Sequence, residues 1–210
     1  MEYRFISKTV VYDYAGGPAP LTPGDDGWKI ATAPEINAAF SDDPIRKLRF
    51  QKYIEARHTG LVLMRGGRWI SYGWCSTPQS PAPPHLPRSV GTLGAHWIFG
   101  CHTYSAFRRQ GIYKELLARL VAVARTLQPS AKIYIDTHPE NVASRRAILA
   151  SGFKPCGVFA TFRVWAPLVG SQVVGGRWRK DEPHPMLAYD LPPVPAEVIA
   201  TGASLKNSAG

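Results

Sequence analysis

The amino-acid sequence predicts a mixed α/β protein built around one sheet. Residues 2–13 are rich in β-branched and aromatic side chains, a composition typical of a strand. Residues 61–75 predict two strands joined at Gly66 and Gly67, because paired glycines between strand-like segments favour a tight hairpin. From residue 95 to residue 165, strand-like and helix-like segments alternate. An antiparallel start followed by this alternation predicts a mixed sheet with helices packed against it.

Three helices are predicted from their end signals and their apolar spacing. The first begins near Pro44, with Ser41 as the expected N-cap, and ends before Gly60. The third is short and lies between an Asn141 cap and Gly152. The second is the best defined, because its apolar side chains recur at helical spacing, at positions 112, 116, 117, 120, 121, 124 and 127.

The remaining strands are predicted over residues 95–104, 131–137, 153–165 and 184–191. The resulting order is strand, helix, hairpin, strand, helix, strand, helix, strand and strand. Residues 76–94 contain too many prolines for regular structure. We interpret this segment as an exposed loop or as a lid that shapes a pocket.

One domain is expected over residues 1–191, followed by a flexible tail over residues 192–210. A chain of 210 residues with 45% hydrophobic side chains can bury one full core. The three cysteines are widely spaced without a metal-binding pattern, so reduced thiols and no metal are expected. The first residues lack the apolar core of a signal peptide, and no uncharged apolar run approaches membrane-spanning length. A cytoplasmic location is therefore expected.

The formal net charge of +10 favours an anionic partner. Nucleic acid, a membrane surface and a phosphorylated small molecule all meet that condition, so charge alone does not choose among them. The sequence shows no RNP motif, zinc-finger spacing or helix-turn-helix pattern, which makes nucleic acid the weaker choice. The first helix has a basic face that is either a solvated surface or a lip that faces a substrate. Its members are Arg46, Lys47, Arg49 and Lys52.

Residues 105–120 predict an anion site at the start of the second helix. The first turn of a helix leaves backbone N–H groups unpaired and carries partial positive charge. Gly111 removes the side chain that would hold a phosphate away, and Arg108 and Arg109 add forked donors suited to phosphate oxygens. The spacing matches neither a P-loop nor a dinucleotide fingerprint. We interpret Arg108 to Tyr113 as a pyrophosphate cradle, with a basic turn and an incidental glycine as the alternative.

Two motifs in this region resemble those of the GNAT N-acetyltransferase superfamily. The segment FRRQGIYKELL is similar to the acetyl-CoA signature Gln/Arg-x-x-Gly-x-Gly/Ala, with Arg108 and Gly111 at matching positions. Tyr113 stands where the last Gly or Ala is usual. Downstream, NVASRRAILASGF resembles the second family motif, with matches at Asn141, Ser144, Gly152 and Phe153.

The resemblance implies a GNAT-like acyl-CoA acyltransferase fold, with a central mixed, twisted sheet and helices on both faces. Its fourth and fifth strands would splay apart, and the pantetheine arm of acetyl-CoA would fill the gap. Backbone groups from Cys101 to Thr103 would pair with pantetheine, and amides from Arg109 to Tyr113 would hold the pyrophosphate. The residues implied at the cofactor are Cys101, Thr103, Arg108, Arg109, Gln110, Gly111, Ile112, Tyr113, Asn141 and Ser144.

Amine acetylation needs a base for the ammonium, donors at the thioester oxygen and an acid for the thiolate. In many family members a tyrosine supplies the acid, but Ile148 occupies the matching position here, so solvent, Ser144 or Tyr104 would substitute. His102 is the expected base, because histidine titrates near neutrality and this one lies close to the expected thioester. It would share a face with His96 if the strand carries no bulge.

Other groups in the same region keep alternatives open. Asp136 and His138 end the next predicted strand, and Glu55 lies on an element that flanks the acceptor site in such folds. The aromatic alternation of Trp69, Tyr72 and Trp74 suits core packing or ligand stacking.

The function expected from these motifs is transfer of an acetyl group from acetyl-CoA to a primary amine of a small molecule, such as an amino sugar or a sugar nucleotide. The alternatives are a catalytically inactive GNAT-like domain that binds CoA and a module that interacts with nucleic acid. Acetyl-CoA and a small amine are the expected partners, and a homodimer is a permitted assembly.

Overall fold

The structure is a computed structural model that describes residues 3–16, 27–166 and 170–180. Its strands are β1 (Tyr3–Tyr14), β2 (Trp28–Ile30), β3 (Thr59–Arg65), β4 (Arg68–Ser76), β5 (His96–Thr103), β6 (Ile133–Thr137), β7 (Phe153–Ala166) and β8 (Gly170–Arg179). They form one eight-stranded sheet in the order β2-β3-β4-β5-β6-β1-β7-β8. Neighbouring strands run antiparallel except β5 and β6, which are parallel. The predicted mixed sheet is confirmed.

The helices are α1 (Ala33–Ala39), α2 (Pro44–Glu55), α3 (Ile112–Leu127) and α4 (Val142–Leu149). Asp43 caps α2 by accepting a hydrogen bond from the Arg46 backbone N–H at 2.9 Å, so the prediction of Ser41 as the cap is wrong. Asn141 caps α4 by accepting from the Ser144 N–H at 3.2 Å, as predicted. Within the described residues, no helix is long and apolar enough to cross a membrane.

Two apolar layers cover the two faces of the sheet, so helices pack on both faces as predicted. On one face, α3 buries a stripe that includes Leu116, Leu117 and Leu120 against residues of β1, β5 and β6. The other face is aromatic, with Phe40 after α1 and Phe50 on α2 packed against β4. Burying this much apolar and aromatic surface is the main driving force for docking the helices.

β5 and β6 pair over only part of their length. The ladder joins residues 96–98 to residues 133–135 and then ends, while β5 continues to Thr103. We call the opening beyond the last pair the strand fork. β5 and β6 correspond to the fourth and fifth strands predicted from the sequence, and the strand fork is the separation expected between them.

A bulge in β5 changes which face each side chain occupies. The register between β4 and β5 shifts between Tyr72 and Trp74, and Gly100 opposite them has a positive φ of 60°. One inserted residue reverses the alternation of side chains along a strand. His96 therefore contacts the layer under α3, whereas His102 stacks on Tyr72 on the aromatic face. The two histidines do not share a face.

Several elements differ from the sequence-based expectations. The short strand β2 and the short helix α1 were not predicted, since three strand residues and two helical turns leave little periodic signal. Strand β8 was also not predicted, because glycines at 170, 175 and 176 dilute its β-branched content. The strand predicted over residues 184–191 and the tail over residues 192–210 lie outside the described residues. The domain limits stay a prediction.

The proline-rich segment packs against the sheet and is not simply an exposed loop. Leu86 and Val90 are buried in the aromatic layer, and a short 3-10 helix spans Arg88–Leu93. From the same segment, the His85 Nε2 atom lies 2.9 Å from Asp136 Oδ1. Irregular backbone is thus held in place by apolar burial and one part-buried polar contact.

Candidate functional site

The loop that precedes α3 has the backbone shape of an anion cradle. Arg109 and Gly111 both have positive φ angles, of 63° and 77°. The first helical hydrogen bond runs from the Glu115 N–H to the Gly111 carbonyl at 3.1 Å, so the preceding amides lie ahead of the helical ladder. A Cβ at Gly111 would meet nothing within 4 Å. Open space therefore lies directly in front of the helix N-terminus, where an anion is favoured.

A cleft of about 540 Å³ extends from this cradle along the unpaired end of β5 to the start of α4. Of the ten residues expected at the cofactor, all but Gln110 line it. Its lining also includes His102, Phe107, Lys114, Ala143 and Ala147. The structure therefore gathers residues from two separate motifs, about thirty positions apart in the chain, around one space of cofactor size.

Two of the lining residues tie α3 to α4 across the cleft. The Tyr113 hydroxyl and the Ser144 Oγ atom lie 2.8 Å apart, and either can donate. Burial raises the pKa of Tyr113, although the bond from Ser144 acts in the opposite direction. Ile148 is fully buried in the apolar layer under α3 and has no group that could donate a proton. The hydroxyls at this end of the cleft thus belong to Tyr113 and Ser144.

His102 lies in a stack of rings. Its imidazole stacks on Tyr72, with ring centroids 5.3 Å apart, and meets Tyr104 edge-on at 4.9 Å. The Tyr104 hydroxyl accepts a hydrogen bond from Arg46 Nη1 at 2.9 Å. Burial, followed by the charges of Arg108 and Arg46, lowers the pKa of His102. This shift favours the neutral imidazole, which is the form that can accept a proton.

The other candidate side chains are either buried in the interior or exposed to solvent away from the cleft. His96 is fully buried and its Nδ1 atom lies 3.2 Å from the Ser76 carbonyl. The side chain of His138 is 55% exposed beside Glu140. Glu55 is exposed at the end of α2. None of these side chains lines the cleft.

Asp136 is part of a buried polar cluster that sequence reasoning missed. Its side chain is only 2% exposed and accepts from Trp97 Nε1 at 2.7 Å as well as facing His85. Burial disfavours the charged forms of both groups, but their mutual attraction outweighs it, so the pKa of His85 is raised and that of Asp136 lowered. The role of His85 could not be predicted from the sequence, because its partner lies 51 positions away and its own segment has no periodicity.

The mixed sheet with its strand fork is the fold of acyl-CoA acyltransferases. A family model described as the acetyltransferase (GNAT) family matches residues 28–153. The chain belongs to the GNAT acetyltransferase family. No curated protein sequence matches the chain.

Solved structures share the fold at low sequence identity. A protein from Novosphingobium aromaticivorans, assigned to the GNAT family, has a TM-score of 0.54 and 14% identity, with 78% of this chain and 66% of that one covered. A GNAT acetyltransferase from Colwellia psychrerythraea has a TM-score of 0.51 and 18% identity, with coverage of 76% and 55%. The chain thus spans just under two thirds of the first protein and just over half of the second. The aminoglycoside N-acetyltransferase AAC(6')-Iy, solved in complex with CoA, has a TM-score of 0.47 and 17% identity, with coverage of 60% and 90%.

Proposed function

We propose that this protein transfers an acetyl group from acetyl-CoA to a primary amine of a small molecule. The observation that carries the proposal is the single cleft that begins at the α3 N-terminus and runs to the strand fork. An anion site at one end and unpaired strand backbone along the wall suit the diphosphate and the amide-bearing arm of one ligand. Membership of the GNAT family supports the same assignment.

In this proposal each part of the cleft holds one part of acetyl-CoA. The amides from Arg109 to Tyr113 bind the diphosphate, and Arg108 and Arg109 add charge at the rim. Cys101 and Thr103 present strand backbone to the pantetheine arm, with Asn141 and Ser144 on the opposite wall. Arg108 Nε donates to the Thr103 carbonyl at 3.1 Å, which joins the cradle to the strand that the arm would follow.

His102 is our proposed base for the acceptor ammonium. It lines the cleft, lies just past the β5 bulge and is held neutral by burial and by two arginines. The leaving thiolate would take its proton from Ser144, from solvent or from Tyr104. Ser144 is our first choice, because its hydroxyl lies in the cleft and is hydrogen-bonded to Tyr113.

Replacing His102 by glutamine tests the base. The wild-type kcat/KM should decrease at acid pH, where the His102 imidazole becomes protonated and can no longer act as a base. Because the pKa of His102 is lowered, this decrease should begin below the ordinary histidine pKa of 6.5. His102→Gln should lower kcat by about a hundredfold or more and remove this decrease at acid pH. His138→Gln is the matched control, since His138 is exposed and does not line the cleft. If the pH dependence of kcat/KM is the same in His102→Gln as in wild type, His102 is not the base.

Calorimetry with acetyl-CoA tests the function itself. We expect one site per chain with a dissociation constant in the micromolar range, and competition by CoA. Absence of binding at several hundred micromolar would overturn the proposal. Binding without turnover across a panel of amino sugars, amino-sugar nucleotides and other amines would favour an inactive domain that binds CoA. Retention on immobilised nucleic acid that falls steeply with salt would favour a module that interacts with nucleic acid.

A further inference from the structure

We propose that the acceptor carries an anionic group, a phosphate or a carboxylate, and that Arg46 on α2 binds it beside His102. This inference rests on the proposed acetyl transfer and specifies its second substrate. The observation behind it is an arginine that is fixed in position next to the proposed base, on the aromatic face of the sheet.

Arg46 is held from three sides. Its Nη1 atom donates to the Tyr104 hydroxyl at 2.9 Å, and its guanidinium carbon lies 5.5 Å from the centre of the Phe40 ring. Its Nε atom is 3.4 Å from an Asp43 carboxylate oxygen. Side-chain ordering normally weakens a surface arginine as a ligand, and these contacts remove much of that penalty in advance. These contacts use Nε and one N–H of Nη1, so among the described residues the other N–H of Nη1 and both N–H groups of Nη2 are left for a ligand.

Arg46 and the proposed base, His102, both contact Tyr104. Tyr104 bridges the two, because its hydroxyl binds Arg46 and its ring meets His102 at a centroid distance of 4.9 Å. His102 itself lines the cleft that ends at the strand fork. A ligand amine at His102 is therefore within the reach of one small molecule from a group bound at Arg46.

The electrostatics of this region favour an acceptor that brings its own negative charge. The charged groups that act on His102 are Arg108 and Arg46, and those that act on the neighbouring Tyr72 are Arg46 and Arg49. Among the described residues, those that line the cleft with His102 include no carboxylate, and the Asp43 side chain is paired with Arg46. An acceptor with only ammonium groups would meet net positive charge here, whereas an anionic group gains a forked, charge-assisted contact.

A bound anion would also assist the chemistry. When His102 takes the proton of the acceptor ammonium, it becomes an imidazolium close to the charges of two arginines. The free amine then attacks the thioester and loses its second proton, and the CoA thiolate that leaves is protonated as proposed above. A phosphate or carboxylate at Arg46 offsets part of that positive charge as it develops. Recognition and proton transfer would thus depend on the same group of the substrate.

The test measures binding to CoA-saturated protein, so that anionic probes cannot occupy the cradle. Two matched pairs are titrated by calorimetry: glucosamine 6-phosphate against glucosamine, and glycine against glycinamide. We expect wild type to bind the anionic member of at least one pair tenfold or more tightly, and the pair that shows the preference identifies phosphate or carboxylate. Arg46→Gln should abolish the preference, while Lys47→Gln, on the same helix, should keep it.

The inference would be overturned if neither anionic probe bound, or if the preference for the anionic probe survived Arg46→Gln. It would also be overturned if Arg46→Gln and Lys47→Gln reduced this preference equally, which would indicate only the general charge of the surface. Thermal denaturation of both variants checks that each is folded. The proposed function is tested separately, because it fails when acetyl-CoA does not bind or when no amine is acetylated, whereas this inference fails when CoA binds normally and the anionic probes show no dependence on Arg46.

Discussion

Gly111→Val is expected to raise the dissociation constant of acetyl-CoA by a hundredfold or more. Valine disfavours the left-handed conformation, with φ of 77°, that Gly111 adopts at the α3 N-cap, so the loop would shift or store about 1–3 kcal/mol of strain. The added methyl groups would also occupy the open space in front of the amides. Both effects act on the phosphate contacts, and calorimetry measures the loss.

The matched control is Gly67→Val in the β3–β4 hairpin. Gly67 has a φ of 73°, and a Cβ there also meets nothing within 4 Å. The two variants should therefore lose similar free energy of unfolding, and only Gly111→Val should lose affinity for acetyl-CoA. Equal affinities in the two variants would show that the cradle does not hold the cofactor.

Asp136→Ala is expected to give the largest loss of stability among the polar substitutions considered, about 3 kcal/mol in the free energy of unfolding. The carboxylate is nearly inaccessible to solvent and receives Trp97 Nε1 on the same oxygen that faces His85. Its removal leaves a buried indole N–H without an acceptor and releases the proline-rich segment from the sheet. Urea denaturation measures the loss, and limited proteolysis within residues 76–94 should become faster.

The His85–Asp136 pair also predicts how stability depends on pH. The lowered pKa of Asp136 contributes stability above its ordinary value of 3.8, which is lost as the pH falls through the folded value. The raised pKa of His85 contributes stability that is full below 6.5 and is lost as the pH rises through the folded value. The difference between wild type and His85→Gln should therefore be largest between these two limits. His138→Gln, which changes an exposed histidine outside this pair, is the matched control.

Features set by neighbouring residues were predictable from the sequence. Gly66 and Gly67 turn the hairpin, Asn141 caps α4, and the apolar spacing of α3 identifies both the helix and its buried face. In each case the interaction lies within a few residues of the signal. The two cofactor motifs were likewise visible, because each is a short segment with its own pattern, and the structure places them on one cleft.

Features set by distant contacts were not predictable. The bulge at Gly100 depends on how β5 pairs with β4, and it moves His96 away from the face that His102 occupies. The contacts of Arg46 with Tyr104 and of His85 with Asp136 join positions more than 50 residues apart. These residues come together only when the sheet forms, so no spacing in the sequence predicts their contacts.

The opening between β5 and β6 has a kinetic consequence. A gap in a sheet can be reached from either face, so the donor can lie on the α3 side while the acceptor lies on the aromatic side. Burial raises the pKa of the Cys101 thiol at this gap to about 12, so it is not a thiolate that could carry the acetyl group in between. Both substrates should then be bound at once, and double-reciprocal plots of initial rate should intersect and not run parallel.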